Sequence, residues 1–152
     1  MACPQCKVNP RAHSFVLFGT HGPLTYFYTA AGKAEELVDT PQKFGYFKMH
    51  MDAARGTPWV WVFDCGGMST RHYSSIDFMK SLVGTLSNEH ADYLQGIWII
   101  NGNGWMRMAV TIMSPFMNKK IVAKLTFVDS ITFLQRLQSI SLTSLPWKSS
   151  NI

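Results

Sequence analysis

Methionine is the side chain whose number and spacing most suggest a function in this sequence. The chain of 152 residues contains nine methionines. Met106, Val110, Met113 and Met117 recur at intervals of three or four residues, which places them on one face of a helix. Such a face is compatible with ordinary core packing. It is equally typical of a surface on which flexible methionines repack around apolar ligands, and both interpretations stay open.

A C-x-x-C motif, Cys3-Pro4-Gln5-Cys6, begins the sequence. A structural zinc site requires four ligands, and neither a second C-x-x-C nor a paired histidine follows. A thioredoxin-like motif would follow a strand and open a helix, whereas this motif lies at the terminus. We therefore predict no metal site and assign the motif to a loose N-terminal tail. Cys65 makes the cysteine count odd, which favours a reducing compartment.

The sequence offers no complete catalytic motif. Gly102-Asn103-Gly104 lacks the third glycine and the later acidic residue of a dinucleotide-binding fingerprint. Ser69 is not flanked by glycines as a nucleophile elbow requires. Asp64, at the end of an apolar run, is compatible with a general base but is more typical of a residue that caps the following turn. We therefore predict that the protein is not an enzyme and has no catalytic residue.

Apolar segments predict the elements that would position these residues. Strands are predicted at Ser14–Phe18, Leu24–Thr29, Trp59–Phe63, Ile97–Ile100 and Ala123–Val128, and the last three are expected to be adjacent in one sheet covered by helices. The unbroken apolar runs Trp59–Phe63 and Ile97–Ile100 predict strands buried on both faces. Helices are predicted from the Thr40-Pro41 cap to Ala54, after the capping pattern Ser74-x-x-Asp77, over Trp105–Met117 and over Ile131–Ile140. Strands that alternate with helices predict an α/β fold with a largely parallel sheet.

Composition and charge exclude several classes of protein. Apolar residues make up 47% of the chain and charged residues only 15%, so the chain can bury a core and is not disordered. The apolar runs are too short to span a membrane as helices. The net charge is +5, but the basic residues are mostly scattered, and only Lys119, Lys120 and Lys124 cluster. This pattern disfavours nucleic acid as a partner.

Several segments resemble motifs of the CRAL-TRIO lipid-binding domain family. They are Trp61–Ser69, Ile97–Asn103, Met113–Met117 and Ala123–Phe127, which follow the family's order at similar intervals. Gly22–Tyr28 and Leu145-Pro146 are similar to the family's opening and closing motifs. The resemblance therefore extends over residues 22–147.

The resemblance implies a mixed, largely parallel sheet of about five strands flanked by helices. It also implies a lipid pocket closed by a mobile gate helix, which by position is Trp105–Met117. The implied pocket and gate residues are Trp105, Met106, Val110, Met113, Phe116, Met117 and Ile121. Lys124, with Lys120 near it, matches a headgroup-binding lysine of the family. Ile121 stands where phosphatidylinositol-binding members have threonine, so an apolar lipid is expected rather than a phosphoinositide.

Two functions are predicted as alternatives. In the first, residues 14–147 form one CRAL-TRIO-like domain, with tails at residues 1–13 and 148–152, that binds or transfers a hydrophobic lipid. In the second, a degenerate CRAL-TRIO fold without the family's N-terminal helices acts as a non-catalytic accessory subunit of a larger assembly. No cofactor is expected other than a bound phospholipid or similar lipid. The expected partners are a hydrophobic lipid, a peripheral membrane surface or a protein. The expected compartment is intracellular and reducing, with the cytoplasm favoured over mitochondria.

Overall fold

A computed structural model of the protein describes residues 3–9, 14–34, 41–68 and 75–143. The helices within these ranges are α1 (Pro4–Val8), α2 (Pro41–Asp52), α3 (Ile76–Glu89), α4 (Gly104–Met113), α5 (Lys119–Val122) and α6 (Ser130–Leu137). The strands are β1 (Val16–His21), β2 (Leu24–Ala30), β3 (Trp59–Asp64), β4 (Leu94–Ile100), β5 (Leu125–Val128) and β6 (Ser141–Leu142). Short 3-10 turns follow β2 at Ala31–Lys33 and α4 at Ser114–Phe116.

The strands form one six-stranded sheet in the order β5-β4-β3-β2-β1-β6. Strands β2, β3, β4 and β5 are parallel to their neighbours in that series, whereas β1 pairs antiparallel with both β2 and β6. The predicted mixed, largely parallel sheet is confirmed. The sixth strand was not predicted, because Ser141–Leu142 is too short to show an alternating pattern.

Helices cover the sheet on both faces, which explains the unbroken apolar runs of β3 and β4. Alternate residues of a strand point to opposite faces, so Trp59 and Trp61 pack with α2 and α3, while Val60 and Val62 pack with α6. We call these the α2–α4 side and the α6 side of the sheet. Trp61 is 2% exposed and Ile99 1% exposed, as expected for two central strands. The predicted adjacency of β3, β4 and β5 is confirmed.

Capping side chains set where α3 and α4 begin. The Ser75 hydroxyl accepts a hydrogen bond from the backbone N–H of Phe78 at 3.1 Å. The cap thus lies one residue after the predicted Ser74, which is outside the described residues, as are Thr40 and Ser69. The Asn103 side chain accepts from the N–H of Met106 at 2.9 Å, so α4 begins at Gly104.

The predicted helix Trp105–Met117 is wrong at its C-terminal end. Helix α4 stops at Met113, and a 3-10 turn follows. Pro115 has no N–H to donate to the preceding turn, so the α-helical hydrogen bonds cannot continue through it. The predicted strand Ala123–Val128 is likewise shorter, because α5 and its turn precede β5. Helix α6 spans Ser130–Leu137 rather than the predicted Ile131–Ile140.

The N-terminal residues differ from the loose tail that the sequence predicts. Residues Pro4–Val8 form α1, and the preceding Cys3 is 3% exposed. A buried cysteine beside a helix shows that this segment packs on the domain. The boundaries at residues 13 and 148 remain predictions, and the C-terminal tail 148–152 and Leu145-Pro146 lie outside the described ranges.

Candidate functional site

An apolar cavity of about 200 Å³ lies on the α2–α4 side of the sheet. Its floor is formed by strands β3 and β4, and its walls by α2, α3 and α4. The described lining residues are almost all apolar. They are Ser14, Thr29, Ala31, Ala34, Lys43, Phe47, Trp61, Phe63, Met68, Phe78, Met79, Leu82, Val83, Leu86, Ile97, Ile99, Met106, Ala109, Val110, Met113, Met117 and Leu125.

The methionine face of α4 and the turn after it lines this cavity. Met106, Val110, Met113 and Met117 all belong to the lining, with Ala109 between them. Met113 is the most buried of the helix at 4% exposure, and it sits where α4 ends. The three- and four-residue spacing brings these side chains onto one helix face, as the sequence pattern predicts.

The other residues that the family resemblance assigned to the pocket and gate lie elsewhere. Trp105 is 57% exposed and Phe116 is 51% exposed, and neither lines the cavity. Lys80 places its ammonium group 4.6 Å from the centre of the Phe116 ring. Ile121 is fully buried in the core cluster on the same side of the sheet. These positions correct the expectation that all of them face the pocket.

A second apolar stripe runs along the outer surface of α4 and its 3-10 turn. We call Trp105, Met108, Ile112 and Phe116 the outer stripe; Met108 and Ile112 are each 46% exposed. A three- or four-residue spacing aligns the stripe, just as it aligns the inner face. The spacing of Met106, Val110, Met113 and Met117 predicts one apolar face on this helix. The helix is instead apolar on two faces.

Helix α3 forms a wall of the cavity that the sequence pattern predicts only as core. Phe78, Met79, Leu82, Val83 and Leu86 line the cavity from this helix. Their three- and four-residue spacing shows that they share a buried face. It does not show whether that face meets side chains or an open space, so the signal could not identify them as site residues.

Few residues of the lining are polar, and two of them accept hydrogen bonds from other groups of the protein. The Thr29 hydroxyl accepts from the Trp61 indole N–H at 2.7 Å, and the Ser14 hydroxyl accepts from the Ala30 N–H at 2.9 Å. Among the described lining residues, Lys43 is the one that carries a charge, and its ammonium nitrogen lies 4.8 Å from the centre of the Phe78 ring. A hydrocarbon surface with one cation suits an apolar ligand with an acidic end.

The two lysines expected to hold a headgroup contact protein groups instead. The Lys124 ammonium donates to the backbone carbonyl of Ala91 at 2.8 Å, and that of Lys120 pairs with Asp92 at 3.1 Å. Neither residue lines the cavity. The contacts position the turn before β4, which is a structural role.

A polar network occupies the carboxyl end of the parallel strands. The Asp64 carboxylate accepts hydrogen bonds from the Tyr28 hydroxyl, from the N–H of Gly66 at 2.8 Å and from the Asn101 side chain at 2.9 Å. The bond to Gly66 shows that Asp64 caps the turn, the interpretation favoured by the sequence. Burial and the Asp64 charge together raise the pKa of Tyr28 above its usual range, and burial, with a contribution from Asp64, raises the pKa of Cys65 to about 12. Both groups therefore stay protonated.

Helices on both faces of a largely parallel sheet define a layered α/β domain, and this one has an apolar cavity between the sheet and helices α2, α3 and α4. The family model described as "Divergent CRAL/TRIO domain" matches residues 34–149. The chain belongs to this family, as the sequence motifs predict. Members of the family are generally lipid-binding and lipid-transfer proteins.

One solved structure with the same fold is that titled "Crystal structure of Sfh5". The two share 15% sequence identity with a TM-score of 0.57, over 76% of this chain. The match covers 47% of Sfh5, so this chain spans about half the length of that protein. No curated protein matches the sequence. In the described ranges, no helix has the length and apolarity needed to cross a membrane.

Proposed function

We propose that this protein binds a hydrophobic lipid in the cavity between the sheet and helices α2, α3 and α4. The observation that carries the proposal is the cavity lining, which is hydrocarbon apart from Ser14, Thr29 and Lys43. Membership of the CRAL/TRIO family supports the same function. Nothing in this proposal requires a catalyst: Tyr28 and Cys65 stay protonated, and the Asp64 carboxylate accepts three hydrogen bonds from the protein.

The size of the cavity suggests that α4 must move for a lipid to enter. A volume of about 200 Å³ falls below the ~300–1,000 Å³ of most ligand sites. Methionine side chains can change rotamer with little strain, so the α4 wall is the part of the lining best able to adapt. Asn101, whose φ is 54°, lies three residues before the start of α4, and the 3-10 turn that contains Pro115 follows its end. We therefore assign α4 as the gate.

The outer stripe favours a membrane surface as the place where lipid enters. Exposed tryptophan, phenylalanine and aliphatic side chains insert readily at the boundary between headgroups and acyl chains. The segment from Gly104 to Val128 includes four basic and no acidic side chains, so its net charge is compatible with contact to anionic headgroups. A lipid leaving the bilayer would then meet α4 first.

Two tryptophan substitutions on α4 test the proposal. Met113→Trp adds volume inside the cavity, and Met108→Trp makes the same change on the outer stripe. We expect Met113→Trp to weaken binding of a fluorescent fatty acid at least about tenfold, the equivalent of ~1.4 kcal/mol. We expect Met108→Trp to bind the probe as the wild type does.

Native mass spectrometry and thermal melting of the same proteins complete this test. In a cavity that takes ligand, the new indole enters open space, so the melting temperature of Met113→Trp changes little. In a closed core the same change overpacks the interior and costs roughly 1–3 kcal/mol of stability. Wild-type protein that carries no lipid and shows no saturable probe binding would contradict the proposal.

A protein-binding accessory role is the second candidate. The outer stripe favours it, because an exposed apolar helix face is also typical of a protein interface. A partner that covers the stripe would form a stoichiometric complex with wild-type protein and lose affinity in Ile112→Glu, while lipid binding stays unchanged. For either role we propose an intracellular, reducing compartment, since the sequence contains an odd number of cysteines, three in all.

A further inference from the structure

Two cysteines and a histidine converge where α1 packs against α2. The side-chain donor atoms of Cys3, Cys6 and His50 all lie within 4.8 Å of one another. The Sγ of Cys6 is 3.4 Å from the Nε2 of His50, although the two residues are 44 positions apart in the chain. Cys3 is buried, while Cys6 and His50 are partly buried.

The geometry points to a metal site for a zinc-class ion with Cys3, Cys6 and His50 as ligands. Zinc binds cysteine sulfur at ~2.3 Å and histidine nitrogen at ~2.0–2.1 Å in a tetrahedral arrangement, which puts a sulfur and a nitrogen ligand about 3.6 Å apart. The observed 3.4 Å matches that separation. A C-x-x-C pair with a more distant histidine is also a spacing that zinc sites use.

A hydrogen bond between Cys6 and His50 explains less of this arrangement than a metal site does. A thiol donating to an imidazole accounts for that one contact, but not for the third soft donor of Cys3 in the same place. Thiolates and imidazole are the ligands that select zinc over hard cations such as Mg²⁺. The three protein ligands leave the fourth tetrahedral position for water or another donor.

A metal ion here would fasten α1 to α2. Helix α2 supplies Lys43 and Phe47 to the wall of the apolar cavity, so the ion would also hold that wall in place. The phenyl rings of Phe15 and Phe47 lie 6.2 Å and 6.4 Å from the His50 ring and restrict solvent access to it. The proposal concerns a metal-binding site with three protein ligands and does not depend on lipid binding.

Cobalt titration of the full chain tests the site. The cysteines are kept reduced with a phosphine, because a thiol reductant would itself bind the metal. We expect one equivalent of Co²⁺ to produce a thiolate-to-metal charge-transfer band and tetrahedral d–d bands, and one equivalent of Zn²⁺ to abolish both. Cys6→Ser and His50→Ala should each weaken metal binding more than about 100-fold. Mutation of a residue that only hydrogen-bonds to a metal ligand already lowers metal affinity by roughly 10–100-fold, and loss of the ligand itself should cost more. Cys65→Ala and His21→Ala are the matched controls outside the cluster and should bind as wild type does.

Alkylation provides a readout that does not depend on the spectrum. Zn²⁺ should slow alkylation of Cys6 in the folded wild-type protein, shown to be folded by circular dichroism, and in Cys65→Ala. The proposal would be overturned by spectra without a charge-transfer band or by equal metal affinity in all variants. A Cys3–Cys6 disulfide that persists under reductant would overturn it too. Zn²⁺ that fails to protect Cys6 would do the same.

Discussion

Two concavities of similar size lie on opposite sides of the sheet, and their linings differ. The cavity on the α2–α4 side holds about 200 Å³ and is lined by side chains that are almost entirely apolar. The concavity on the α6 side holds about 250 Å³, and its lining includes Tyr28, Asp64, Asn101 and Ser130. Volume therefore does not distinguish the two. The chemistry of the lining does.

Hydrogen bonding explains why we assign ligand binding to only one of them. On the α6 side, Asp64 already accepts bonds from Tyr28, Gly66 and Asn101, so a ligand would have to replace contacts that stabilise the fold. On the α2–α4 side, a hydrocarbon ligand would gain apolar contacts without breaking a hydrogen bond of the lining. Helix α4, with its methionines, can also adapt its shape.

The largest expected effect comes from breaking the α6-side network. Asp64→Ala should lower the free energy of unfolding by roughly 2–3 kcal/mol, since hydrogen bonds to a charged group contribute ~1.5–3 kcal/mol. Urea denaturation measures this change. Binding of the fatty acid probe should be unchanged in the folded variant, because Asp64 does not line the apolar cavity.

An exposed carboxylate is the matched control for Asp64. Asp92 pairs with Lys120 at 3.1 Å, but the two side chains are 79% and 64% exposed, so Asp92→Ala should cost less than about 1 kcal/mol. Adding Tyr28→Phe to Asp64→Ala should recover part of the loss, because it removes the donor that lost its acceptor. Equal destabilisation by Asp64→Ala and Asp92→Ala would show that the network is not structural.

Local sequence patterns predict the central sheet and the inner face of α4 well. The runs Trp59–Phe63 and Ile97–Ile100 have no polar interruptions, so their burial on both faces follows from the residues alone. The spacing of Met106, Val110 and Met113 likewise indicates one helix face. Neither pattern reveals that a cavity lies beneath that face, because a buried side chain looks the same in sequence beside a space or beside another side chain.

Features that depend on distant residues could not be predicted. His50 approaches Cys6 across 44 positions, and no local spacing relates them. The outer stripe was missed because Arg107 and Thr111 interrupt it in sequence, although they occupy other directions around the helix. The family motif suggested Lys124 for a headgroup, but only the folded structure shows its bond to the Ala91 carbonyl.

His90 lies in a packed part of the α2–α4 side and should make stability depend on pH. The expected effect is intermediate in size. Its ring is fully buried against Trp59, with 5.4 Å between ring centres, and neither ring nitrogen has a hydrogen-bond partner among the described residues. Burial lowers the pKa of His90, and the nearby charges of Glu89, Asp52, Arg55 and Lys48 act in opposing directions.

The sign of the resulting pH dependence follows from proton binding. Below about pH 6.5 the unfolded chain binds a proton at this histidine that the folded chain does not. The free energy of unfolding should therefore fall as pH drops below that value, by at most about 1.4 kcal/mol per pH unit, until the folded pKa is reached. His90→Leu should remove this component, whereas His21→Ala, at an exposed position of β1, should retain it. Chemical denaturation at several pH values measures the difference, and a slope that His90→Leu leaves intact would assign it to other groups.

The smallest expected effect concerns Lys43, the charged residue of the apolar cavity. If its ammonium pairs with the acidic end of a bound lipid, Lys43→Met should weaken binding of a fatty acid by up to about fivefold, because a partly exposed ion pair contributes ~0.2–1 kcal/mol. Binding of the corresponding methyl ester should not change, since the ester carries no charge. Lys80→Met is the matched control, because Lys80 contacts the Phe116 ring as Lys43 contacts Phe78 but does not line the cavity. Fluorescence titration with the acid and the ester measures the affinities of the wild type and of both variants. Equal losses for acid and ester would mean that Lys43 supports the wall through the Phe78 ring, and the lipid would then be held by apolar contacts alone.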